Sequence, residues 1–237
     1  MTPAPRLHAY LRPGAPTALV VRQGPSTTFC TIGWEFARDR FTVGQWVKHK
    51  LYPERGDVSP DGKWHVYFAL NGQWRSETKG AWTGLARVPY LKCVAMWPQG
   101  NTWGGGGAIV PVREARDAPE TPPLPKTLRV TYLGREAKLV RDGWLRARSG
   151  FDKPAGDFVL RKRYANTFRE KHELIGAGGV VHARESWEWA DVDEPRSRIV
   201  YAEQGRLYSV PVNKPLADGK LLFDAHGMTF EAIAAPY

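Results

Sequence analysis

A chain of 237 residues can bury a substantial core, in one large domain or two small ones. Its 42% hydrophobic content excludes a disordered chain, while ten Trp, 24 Gly and 19 Pro exclude a mainly helical one, because Gly and Pro punctuate turns. The formal charge of +10 favours anionic partners or simply a soluble surface, and no run of five basic residues marks a nucleic-acid tract; the densest is Arg161-Lys162-Arg163.

Residues 1–16, MTPAPRLHAYLRPGAP, lack the basic-then-apolar layout of a signal peptide. No apolar stretch approaches the roughly 18 residues of a membrane helix. The expectation is therefore a cytoplasmic protein without a membrane partner. The first predicted strand is TALVVRQG (17–24). Cys30 follows it and Cys93 sits in CVAMW; no CxxC or Cys/His spacing suggests a metal, and a buried thiol is the simpler reading than a Cys30–Cys93 disulfide.

Residues 57–69, DVSPDGKWHVYFA, are echoed 134 residues later by DVDEPRSRIVYAE (191–203). Asp57-Val58 aligns with Asp191-Val192, and Val66-Tyr67 with Val200-Tyr201. Three repeats across that shift give about 45 residues each. Strand centres then fall at Val20, Val66, Ile109, Val159 and Val200, in steps of 46, 43, 50 and 41 residues. Glycine- and Trp-bearing segments recur between them, at Trp46, Trp82 and Trp144. The Pro-rich stretch 111–126 carries five prolines and reads as a surface insertion, with a domain linker as the alternative. Residues 165–175, ANTFREKHELI, have helix-compatible composition, and TFEAIAAPY (229–237) reads as a strand able to pair with residues 7–12.

Units of 40–50 residues, each about four short strands, predict an all-β fold: a five-bladed β-propeller occupying residues 1–237 as one domain. A β-sandwich or two small β domains is the alternative. The turn and strand in SPDGKWHVYF (59–68) resemble those of WD-repeat-like propeller blades of the TolB type, in which a Ser-Pro-Asp-Gly turn precedes an aliphatic-aromatic strand. The second copy, at 193–208, lacks the Asp-Gly pair. The resemblance implies a propeller and a turn-capping role for Asp61; the periplasmic role of TolB does not carry over.

No nucleophile elbow, HExxH, P-loop or GxGxxG is present, and neither a cofactor nor a metal is expected. The six histidines are scattered. In NTWGGGGAIV (101–110) the four glycines lead into a strand, not a helix, so tight chain passage explains them better than a phosphate loop. If the chain is a glycoside hydrolase, paired carboxylates are needed, and Glu35, Asp57, Glu188 and Asp191 are the candidates by repeat position. Most Trp side chains are expected in packing. Two Trp/Arg segments and the glycine loop offer a recognition surface: Trp82 with Arg87 and Tyr90, Trp103, and Trp144 with Arg146 and Arg148. The sequence thus reads as a non-catalytic module binding another protein, with a carbohydrate-active protein (lectin or hydrolase) and a nucleic-acid-binding protein as the alternatives. It does not define the oligomeric state.

Overall fold

The computed structural model describes residues 3–166 and 169–237. Those residues form twenty strands and one α-helix, and the strands group into five sheets. The five predicted strand centres each fall in a different sheet, so the 45-residue period marks successive sheets. The chain divides into two units, Tyr10–Lys138 with Thr229–Tyr237, and Met1–Ala9 with Leu139–Met228. Strand β1 (Arg6–Tyr10) straddles the division.

In the first of these units, β2 (Thr17–Gln23), β3 (Phe29–Glu35) and β4 (Arg40–Val47) pair in succession. β2 is buried over its five central residues, as a strand covered on both faces must be, which accounts for the run Ala-Leu-Val-Val. A second sheet contains β5 (Lys50–Leu51), β6 (Asp57–Val58), β7 (Trp64–Leu70), β8 (Ala81–Arg87) and β9 (Ala95–Pro98). Its main order is β5-β7-β8-β9, with β6 also paired to β7. The third sheet is a hairpin of β10 (Ala108–Pro111) and β11 (Leu128–Thr131). These two strands flank the Pro-rich stretch and pair with each other, so 111–126 connects partners within one sheet. The division between units falls later, inside helix α1 (Arg135–Arg141).

The Ser-Pro-Asp-Gly turn aims β7. The Ser59 hydroxyl donates to Asp61 Oδ1 at 2.5 Å and accepts the Trp64 N–H at 3.0 Å, while Asp61 Oδ1 also accepts the Lys63 N–H. Gly62 takes φ +70° and its carbonyl accepts the Thr17 hydroxyl; a Cβ there would lie 2.1 Å from Thr17 Oγ1. Asp61 therefore has the turn-capping role the resemblance implied.

The other unit holds a five-stranded sheet of β12 (Leu145–Ala147), β13 (Gly150–Ala155), β14 (Phe158–Asn166), β15 (Arg169–Ile175) and β16 (Val181–Arg184), in that order. A four-stranded sheet follows: β17 (Trp189–Asp193), β18 (Arg198–Glu203), β19 (Arg206–Pro211) and β20 (Lys220–Asp224). The repeat extends to register: Asp57 faces Val66 in one sheet and Asp191 faces Val200 in another, each 134 residues from its counterpart.

Two expectations are corrected. Residues 169–175 are a strand rather than a helix, because His172 and Leu174 alternate with more exposed neighbours at period two and β14 supplies a ladder; residues 167–168 lie outside the described part. Residues 229–237 form no strand. Their contacts run through side chains instead: Gln45 Nε2 donates to the Ile233 carbonyl, Phe230 packs by Trp46, and the Tyr237 hydroxyl bridges the Arg87 N–H and the Lys92 carbonyl.

Seven of the ten Trp side chains are core residues, which confirms packing as their main use. One cluster unites Trp144, Phe151, Leu160, Leu174, Trp187, Ile199 and Tyr201; another unites Phe29, Leu51, Tyr67, Trp82 and Leu91. Both cysteines are free thiols, and burial raises the Cys30 pKa to about 12. Among the described residues no helix is long and apolar enough to cross a membrane.

Candidate interaction surface

Three Trp side chains are left outside the core: Trp74 (51% exposed), Trp97 (37%) and Trp103 (91%). Trp97 lies in the sheet built on β7, β8 and β9, and Trp74 and Trp103 lie in loops that leave it. β7 runs out at Leu70 opposite Ala81, where β8 begins, and just beyond β9 the Gln99 N–H donates to the Ala81 carbonyl. The loops 71–80 and 99–107 therefore leave this sheet at the same end. Trp74 sits in the first loop and Trp103 in the second; Trp97 lies on β9 opposite Thr83.

Trp103 is held out by a braced loop. Asn101 Oδ1 accepts the N–H groups of Trp103 and Gly104, both at 3.0 Å. The Arg55 guanidinium donates to the carbonyls of Thr102 (2.8 Å) and Gly104 (3.0 Å), and lies over the Phe68 ring. The glycines that follow permit close approach: a Cβ on Gly105 would lie 2.4 Å from the Phe68 ring, and one on Gly106 2.2 Å from the Arg55 carbonyl. Two N–H groups of this run are committed as well, Gly106 to Thr83 Oγ1 and Gly107 to the Arg55 carbonyl. Loop N–H groups bound to protein acceptors are not a phosphate cradle, so close passage explains the glycines. In the other loop Trp74 lies against Gly80, where a Cβ would meet the indole at 2.3 Å.

The residues chosen from sequence separate by environment. Trp103 is the exposed indole anticipated. Trp82 and Trp144 are corrected: both are buried, Trp82 against His49 and Trp144, at 0% exposure, under the Lys162 ammonium. Both lie on core-facing sides of their segments, so neither offers a stacking face. Arg87 is exposed and spans the rings of Trp64 and Tyr237, with Tyr90 edge-on to Tyr237. Arg146, over the Phe151 ring, and Arg148 are exposed. Trp74 and Trp97 escaped the sequence choice; the signal available was Trp next to polar turn residues in LNGQWRSETKG (70–80).

Three of the four carboxylate candidates are tied into the fold, whereas one buried carboxylate oxygen of Glu188 has no hydrogen-bond partner. Glu35 pairs with Arg40 at 2.6 Å, and Asp57 Oδ2 accepts the Ile109 N–H at 2.9 Å. Asp191 Oδ1 accepts Lys153 Nζ at 3.0 Å and the Val192 N–H at 2.7 Å. Burial raises the Glu188 carboxyl pKa, with Arg6 pulling it back. Glu35 and Arg87 share an open groove of about 620 Å³ with Trp64 and Asp61. The second carboxylate there, Asp61, is the one that caps the turn. Among the described residues no cluster of His, Cys, Asp or Glu could hold a metal ion.

The densest basic stretch is internally matched. Arg161 pairs with Asp152 at 2.6 Å, Lys162 with Glu170 at 3.1 Å and Arg163 with Glu173 at 3.1 Å. Lys162 and His172 hold the Glu170 carboxyl below its usual range, even though burial works in the other direction. This tripeptide is therefore no free cationic face.

No family model matches the chain, and no curated protein matches it. Among solved structures it is similar to the β-propeller domain of the Trilobed protease from Pyrococcus furiosus, described as having an open velcro topology, at 10% identity and a TM-score of 0.36, covering 94% of this chain and 85% of that one. It is also similar to an uncharacterized protein from Listeria monocytogenes (6% identity, TM-score 0.31, 93% and 84% covered). A third is a functionally unknown protein from Desulfotomaculum acetoxidans (10% identity, TM-score 0.28, 95% and 57% covered). With TM-scores below 0.5, these likenesses assign the chain neither a fold family nor a function.

Proposed function

We propose that the chain is a non-catalytic binding module, a five-bladed propeller of the WD-repeat-like type, that takes a partner protein on the end of the sheet bearing Trp74 and Trp103. The observation that carries this reading is the braced exposure of Trp103. A large indole left 91% exposed is an apolar liability unless something covers it. Trp is the residue type most enriched among interface hot spots, and a loop fixed in advance by Asn101 and Arg55 lowers the ordering cost of binding.

The surroundings favour a protein over a glycan. A sugar site needs hydrogen-bonding groups beside the stacking ring, and the nearby amides are engaged. Gln99 Nε2 donates to Thr83 Oγ1 and the Trp97 carbonyl, and Asn101 donates to the Gln99 carbonyl while accepting two N–H groups.

The test compares affinity captures by the intact protein and by a Trp74→Ala/Trp103→Ala variant, with circular dichroism confirming an unchanged fold. The expected outcome is a defined protein recovered by the first and lost by the second. Identical captures, or binding on a glycan array that the variant loses in place of protein capture, overturns the proposal.

A further inference from the structure

A second surface lies in the same unit, at the opposite end of β7 and β8 from the exposed indoles. There Trp64 pairs with Arg87, and the segment after β8 seats residues 229–237. Ile233, Ala235 and Tyr237 are partly covered and alternate with exposed residues, the period of an extended chain. Among the described residues no backbone–backbone hydrogen bond reaches this segment. Three anchors hold it instead. Phe230 lies by Trp46, with the Lys48 ammonium 4.7 Å from its ring centre. The Gln45 amide donates to the Ile233 carbonyl at 2.9 Å. The third anchor is Tyr237, whose main-chain oxygen also accepts the Lys92 ammonium.

The seat of Tyr237 suits a phenol. Its hydroxyl accepts the Arg87 N–H at 3.1 Å and donates to the Lys92 carbonyl at 3.0 Å, so both capacities of the group are used. The Arg87 guanidinium lies 5.0 Å and the Lys92 ammonium 5.6 Å from the ring centre, with Tyr90 edge-on. This seat is fixed by groups outside the segment it holds. Gln45 Oε1 accepts the N–H groups of Leu91 and Lys92, both at 2.8 Å. The Tyr67 hydroxyl donates to the Leu91 carbonyl at 2.6 Å, and the Thr31 hydroxyl to the Pro89 carbonyl at 2.5 Å. Thr229, Phe230, Glu231, Ala232, Ala234 and Pro236 are exposed, so the segment buries little surface and opens at small cost while its receptor stays preformed. The seat also continues past its occupant. Arg87 lines the open groove of about 620 Å³ together with Pro16, Trp64, Val88 and Pro89, a largely apolar wall with nothing upon it.

We propose that this surface is a recognition groove for an extended, tyrosine-bearing peptide. Residues 229–237 occupy it as an exchangeable strap, and a partner segment that runs on from its tyrosine into the open groove displaces them. A tethered strap competes at an effective concentration of about millimolar, so it screens out short or weak segments. A segment that also fills the groove adds contacts the strap lacks. The surface is separate from Trp74 and Trp103, and the inference does not depend on them.

The experiment is fluorescence polarisation of three labelled peptides titrated with the full chain: TFEAIAAPY, the same peptide with Phe in place of its tyrosine, and the same peptide with Val-Pro-Leu appended. The chain is used as wild type, as Phe230→Ala/Tyr237→Ala, which releases the strap and leaves the seat intact, and as the milder Tyr237→Phe. The double variant is expected to bind TFEAIAAPY about tenfold or more tightly than wild type, because an internal competitor is gone, with Tyr237→Phe between the two. The phenylalanine peptide is expected to bind about fivefold more weakly, the scale of one neutral hydrogen bond. Adding Lys92→Met to the released chain is expected to weaken binding by a similar factor, and the lengthened peptide to bind more tightly than TFEAIAAPY. No binding of TFEAIAAPY by either released chain at millimolar concentration overturns the proposal. So do equal affinities of wild type and both released chains, affinities unmoved by the phenylalanine peptide and by Lys92→Met, or no gain from the added residues.

Discussion

His65 should make stability depend on pH in a defined window. It lies on β7, fully enclosed, with Nε2 2.6 Å from the Tyr90 carbonyl and its ring stacked on Tyr67 at 5.4 Å. That contact places the proton of the neutral imidazole on Nε2 and leaves no carboxylate to stabilise a second one. Burial lowers the pKa from 6.5 to about 4, and the hydrogen bond to Tyr90 only partly offsets it. The unfolded chain binds a proton at this site near pH 6.5 and the folded chain does so only near pH 4. Stability from this group is therefore complete above pH 6.5 and falls as pH drops from 6.5 to 4. A shift of that size corresponds to about 3 kcal/mol over the whole window. Urea unfolding at intervals from pH 7.5 to 4 measures the slope. A His65→Phe variant, which keeps an aromatic ring beside Tyr67, should lose about that much of the acid-side fall while starting about 1 kcal/mol less stable for the missing hydrogen bond. An imidazole resonance of His65 titrating near 6.5 in the folded protein, or equal acid slopes in the two proteins, would refute the reasoning.

Asp191→Ala should cost about 3–5 kcal/mol, because it strips the main partner from the buried Lys153 ammonium and leaves only Glu194 at 3.7 Å and the Asp142 carbonyl at 2.9 Å. Adding Lys153→Met should recover part of the loss in a double-mutant cycle by urea unfolding, and additive effects would contradict the pairing. Gly44→Ala places a Cβ 2.1 Å from the Pro89 carbonyl oxygen and 2.9 Å from that of Thr31, so thermal unfolding should show a loss of about 3 kcal/mol or more. Gly72→Ala, with φ +72° and open space around it, should cost only about 1 kcal/mol.

Much of the strand pattern was legible because it is local chemistry. Alternating and continuous apolar runs, a Ser-Pro-Asp-Gly turn and a pair of aspartates 134 residues apart located one strand in each of five sheets and even a shared register at Asp57 and Asp191. Composition alone misread 169–175, where a helix-compatible stretch became a strand because β14 offered it a ladder.

Which tryptophans pack and which meet solvent was decided by the tertiary structure. Trp144 and Trp103 both sit beside turn glycines, yet one is enclosed by Phe151, Leu160 and Leu174 while the other stands on a braced loop with no cover. The same holds for charge: Lys153 and Lys162 look like surface cations in the sequence and are buried against Asp191 and Glu170. Period and turn chemistry act over a few neighbours and are written in the chain itself. Exposure depends on what other segments bring to each side of a strand, and only folding assembles those neighbours.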